Sequence, residues 1–175
     1  MGFEFYYRST RPVMPGEALT IKQAAAELTR GHTWLSCESL ILSSCKEDGH
    51  LEGGSKPTFQ PHPDDAASAA KEGLPDGTIL DLINILRQLS ESHDIDWEIS
   101  HDYSQGPIGF IRSGVCDSTV LTQAEGVASA IQILGDELGE FDQPNYLPRK
   151  SSASRQTNWD DDDGPPILKF RPKGD

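Results

Sequence analysis

The chain has 175 residues, with 15 Lys and Arg against 28 Asp and Glu and a formal net charge of -13. That balance repels phosphate backbones and anionic headgroups, so nucleic-acid and membrane binding are not expected, and a basic protein, a cation or simple solubility fits better. Charges and aromatics in "MGFEFYYRSTRP" stand where a signal peptide needs an apolar run, no stretch approaches a membrane span, and a cytoplasmic location is expected. Cys37, Cys45 and Cys116 lack the close pairing of a zinc knuckle and read as reduced thiols.

Along the chain, Phe3, Phe5 and Tyr7 alternate with Glu4, Tyr6 and Arg8, which predicts a half-buried strand. Ala18, Ile21, Ala25 and Leu28 recur at helical spacing, with Gly31 placed as the residue that ends the helix. "TWLSCESLILSS" reads as a second strand, and "KEDGHLEGGSKPTF" as a third, joined antiparallel through the turn pair Asp48-Gly49. The long connection "QPHPDDAASAAKEGLPDG" has room for one or two helical turns.

Ile79, Leu82, Ile83, Leu86 and Leu89 line one face of the clearest helix, with Thr78 placed to cap it. "IDWEIS" and "IGFIRSG" follow as short strands. A last helix starts at Asp117 or Ser118 and turns Val120, Ala124, Val127, Ile131 and Leu134 inward.

Residues 1–141 hold 9 Lys and Arg against 22 Asp and Glu, whereas residues 142–175 hold 6 of each. An acidic domain over 1–141 and a flexible, disordered tail over 142–175 are expected. Within that tail, residues 165–172 resemble a short linear motif, and Ile167, Leu168 and Phe170 are the candidate partner-binding residues. The element order predicts an α+β fold with ferredoxin-like, split βαβ topology: an antiparallel sheet packed by helices, with an added C-terminal helix. Such a fold carries no function with it.

Three stretches invite a chemical reading. In residues 98–103, Glu98, His101, Asp102 and Tyr103 offer a base, a ligand and a proton donor, yet Asp, Tyr, Ser and Gly-Pro are also turn residues, and the turn is favoured. In residues 62–65, His62, Asp64 and Asp65 have the groups to hold a divalent cation or activate water, although either aspartate equally suits a helix cap. Convergence of His62, Asp64 and His101, with Glu38, Glu98 or Asp102, would make a mixed nitrogen and oxygen metal site. "GGSKP", residues 53–57, lacks phosphate-loop spacing, and no nucleophile motif appears.

The sequence therefore predicts a small acidic binding or regulatory protein of the immunity or inhibitor kind, without catalytic residues or cofactor, acting on a protein partner of basic character. The alternative is a small metal-dependent hydrolase using His62, Asp64, Asp65, His101 and Asp102 with a divalent metal.

Overall fold

The computed structural model describes residues 3–59 and 61–141, with side chains as far as residue 134. The order is β1 (Phe5–Ser9), α1 (Pro15–Thr29), β2 (Ser43–Ser44), β3 (Leu51–Ser55), α2 (Pro63–Glu72), α3 (Ile79–His93), β4 (Trp97–His101), β5 (Gly109–Arg112), β6 (Val115–Cys116) and α4 (Ser118–Phe141). The fold is α+β. Its strands form one six-stranded sheet in the order β2-β3-β1-β4-β5-β6, and every neighbouring pair is antiparallel. No helix among the described residues is long and apolar enough to cross a membrane.

Strand alternation decides where the core sits. Phe5, Tyr7, Leu51, Trp97, Ile99 and Ile111 share the buried face of the sheet. Against them pack Ala18, Ile21 and Ala25 of α1, Ile79, Leu82, Ile83, Leu86 and Leu89 of α3, and Val120 and Ala124 of α4. Each fully buried Val, Leu or Ile side chain among them stabilises the fold by about 1.5–3 kcal/mol relative to leaving it in water.

Helix α3 starts where the sequence places it. Thr78 Oγ1 accepts the Asp81 N–H, and the Asp81 side chain accepts the Thr78 N–H in return, a reciprocal capping box. The helix ends at Asp94, whose φ of 49° lies in the left-handed region.

Several expectations are corrected. Residues 33–42 are not a strand, and only Ser43–Ser44 pairs with β3. Cys37, Leu40 and Leu42 are buried as a strand's residues would be, but the backbone makes only isolated bridges, Thr33 with Asp76 and Cys37 with Pro57, and bonds around them go elsewhere. Leu35 N donates to Asp76 Oδ1 at 2.7 Å, and the Tyr7 hydroxyl both accepts from Ile41 N at 3.2 Å and donates to Ile41 O at 3.1 Å. Gly31 does not end α1 in a left-handed turn, since Arg30 caps it in right-handed geometry.

The connection after β3 holds a ten-residue helix, α2, capped by the His62 side chain rather than by Asp64 or Asp65. An unforeseen strand, β6, returns from β5 through Ser113 and Gly114, at φ 46° and 76°, the paired positive angles of a tight hairpin turn. In α4, Val120 and Ala124 are buried as expected, whereas Leu134 is 41% exposed because the core ends before it.

Candidate functional site

Residues directly opposite one another on an antiparallel ladder point to the same face. The register therefore fixes what the face away from the helices displays. One row runs Ser43, Glu52, Arg8, Glu98 and Phe110 across five strands, and a second runs Gly54, Tyr6 and Ser100. All of these are exposed or half-buried, while the residues between them on the same strands are the sheet's contribution to the core.

Arg8 has a carboxylate beside it on each neighbouring strand, Glu52 and Glu98, and its guanidinium pairs with Asp48 in the turn between β2 and β3. Tyr6 Oη donates to Asp102 Oδ1 at 2.6 Å, with Glu4 Oε2 3.2 Å away. The hydrogen bond to Asp102 is the main reason the Tyr6 phenol holds its proton well above the ordinary range, and the neighbouring negative charges add to it. Lys56 Nζ lies 3.5 Å from Glu4, and the Arg112 guanidinium stacks 4.1 Å from the Phe110 ring centroid. Glu4, Asp48, Glu52, Glu98 and Asp102 thus outnumber Arg8, Lys56 and Arg112 around this face. A shallow cavity of about 480 Å³ opens on it, lined among others by Tyr6, Arg8, Glu52, Gly54 and Glu98.

The two glycines of "GGSKP" serve packing. A Cβ on Gly53 would run into the Ile41 carbonyl and lie 2.6 Å from the Tyr7 ring, so only glycine admits the loop that crosses there. A Cβ on Gly54 would meet only the carboxylate end of Glu4 and, at 3.2 Å, the edge of the Tyr6 ring.

The residues singled out for metal chemistry are dispersed. His62 caps α2, with Nδ1 accepting the Asp64 N–H at 3.3 Å, which requires that nitrogen unprotonated. Asp64 and Asp65 follow in the first turn of α2. His101 ends β4 opposite Phe5, on the core side, with its ring centroid 5.1 Å from that of Phe3 and its Nδ1 accepting the Tyr103 N–H at 3.1 Å. Asp102 lies beyond it and turns to the outer face and Tyr6. Ser104 N returns to His101 O at 2.9 Å, so residues 101–104 form the turn out of β4. Glu98 projects from the outer face, and Glu38 lies near Lys56, its Oε2 accepting the Lys56 N–H at 3.3 Å. Among the described residues, no group of three His, Cys, Asp or Glu is placed to hold a metal ion. Ile167, Leu168 and Phe170 lie outside the described residues.

Compared with known proteins, the chain matches no family model, no curated protein and no solved structure. The site rests on its geometry alone. Sequence alternation already separates Glu4, Tyr6 and Arg8 from the core positions, and what it misses is their company. Glu52, Glu98, Phe110 and Asp102 join them only through strand order and register.

Proposed function

We propose that this chain is a small, acidic, non-catalytic binding protein of the inhibitor or immunity kind, and that it meets a basic protein through the outer face of its sheet. The observation that carries the reading is that, among the described residues, no helix packs on this face and carboxylates outnumber cations around it. Tyr6 and Phe110 add aromatic surface of the type that anchors protein interfaces. The excess of acid over base in residues 1–141 also steers a basic partner toward the domain before contact.

We further read the fold as ferredoxin-like. The segment β2-β3-β1-β4 has the strand order and antiparallel pairing of the split βαβ arrangement, and the β5–β6 hairpin and α4 extend it.

The test is complex formation by the full chain with a captured and purified basic partner across a salt series. Binding should fall steeply between about 50 and 300 mM salt, where screening shortens the reach of surface charge. Deleting residues 142–175, which hold 6 Lys and Arg and 6 Asp and Glu, should leave that slope intact. Binding insensitive to salt would remove the electrostatic reading.

A further inference from the structure

A groove of about 560 Å³ opens on the helix side of the domain, between α4, the start of α3 and the loop that follows β3. Phe59, Leu80 and Ile131 supply its main apolar lining. Glu125, Ser129 and Gln132 reach it from one stripe of α4, since residues three, four and seven apart share a helix face. Its size falls in the range that holds small organic ligands, about 300–1,000 Å³.

The donors on its Ser36 and Thr78 side are already spent. Leu35 N and Ser36 N donate to Asp76 Oδ1 at 2.7 and 3.3 Å, and the Ser36 hydroxyl donates to the same carboxylate. The Thr78 N–H and hydroxyl donate to Asp81 Oδ2 at 2.8 and 2.7 Å. That capping box closes the start of α3, which would otherwise draw an anion. What Ser36 and Thr78 retain for a ligand is hydroxyl lone pairs. Glu125 is the charged residue of the lining, and it has no ion pair or hydrogen bond among the described residues.

Thr58, Ser129 and Gln132 are neutral and can donate as well as accept, so the Glu125 carboxylate sets the sign of charge beside the apolar wall. We propose that the groove binds an amphipathic organic cation: a primary ammonium group beside Glu125, carried on an apolar body that covers Phe59, Leu80 and Ile131. This site is separate from the outer sheet face and stands or falls independently of it.

The experiment is isothermal titration of the full chain with two amines, tryptamine and hexylamine, and with their carboxylate counterparts, indole-3-propionate and heptanoate. Both amines should bind saturably, one per chain and at least about tenfold tighter than the matching acids. Glu125→Gln should erase that preference, Ser129→Trp should block binding by filling the groove, and Glu27→Gln, an exposed site on α1, should change nothing. Circular dichroism confirms that the variants fold, each altered position being on the helix surface. The proposal is overturned if neither amine binds, if the acids bind as tightly, if Ser129→Trp retains binding, or if Glu27→Gln acts like Glu125→Gln.

Discussion

Tyr6 and Asp102, 96 positions apart in the chain, meet on the outer face of the sheet through a 2.6 Å hydrogen bond from the phenol to the carboxylate. The contact joins β1 to the turn beyond β4. It also sets the ionisation of the tyrosine, because loss of the phenol proton would place a new anion beside Asp102 and Glu4. A pH titration followed by the ring carbon resonances should show Tyr6 ionising well above an ordinary phenol. Asp102→Asn should bring it back toward the ordinary range. An unchanged midpoint in that variant would mean the bond does not persist in solution.

The interior makes a second pH prediction. Burial pushes the Cys37 thiol up to about 12 and, in the same way, the Tyr7 phenol to about 12. Both groups hold their protons more tightly folded than unfolded, so their contribution is complete below the unfolded values and is lost as pH rises toward 12. Urea melts should therefore show a lower stability at pH 10.5 than at pH 8. The drop should be smaller in Cys37→Ala, which removes one of the two groups. A drop of the same size in that variant would contradict the assignment to Cys37.

Leu82 is fully buried on the face of α3 that meets the sheet. Leu82→Ala should cost about 2–5 kcal/mol in urea melts, the transfer term plus the cavity left behind. A loss below about 0.5 kcal/mol, typical of surface sites, would place α3 with another face inward.

The two adjacent glycines of β3 should behave differently. Gly53→Ala puts a Cβ against the Ile41 carbonyl and the Tyr7 ring, both fixed, and overpacking of that kind costs about 1–3 kcal/mol. Gly54→Ala displaces chiefly the free end of the Glu4 side chain and should cost less. Equal losses in thermal melts would argue against the close passage of residue 41 over β3.

The stripe from Ile79 to Leu89 and the Thr78 cap are local, so α3 was legible in full. The alternation of β1 was legible too, and with it the exposure of Glu4, Tyr6 and Arg8. Residues 33–42 misled because Cys37, Leu40 and Leu42 are buried like strand residues, while the ladder is broken after a single bridge at Cys37 and the groups that bond Leu35 and Ile41, Asp76 and the Tyr7 hydroxyl, are distant in sequence. Strand β6 was hidden by its length, two residues behind a Ser113-Gly114 turn that lacks the usual Asn or Asp. The outer-face site was legible one strand at a time and not as a surface, because the row Glu52, Arg8, Glu98 and Phe110 exists only once the register is known.

The most direct measurement is charge reversal on the two sides of the domain, read as affinity for the basic partner by biolayer interferometry. Glu52→Lys with Glu98→Lys alters the outer face, whereas Glu27→Lys with Glu91→Lys makes the same change in net charge on α1 and α3. The outer-face pair should weaken binding by at least about tenfold, equivalent to about 1.4 kcal/mol, chiefly through loss of local complementarity. The helix-side pair should produce only the smaller loss that follows from net charge. Equal effects from the two pairs, or a greater effect from the helix-side pair, would contradict the account.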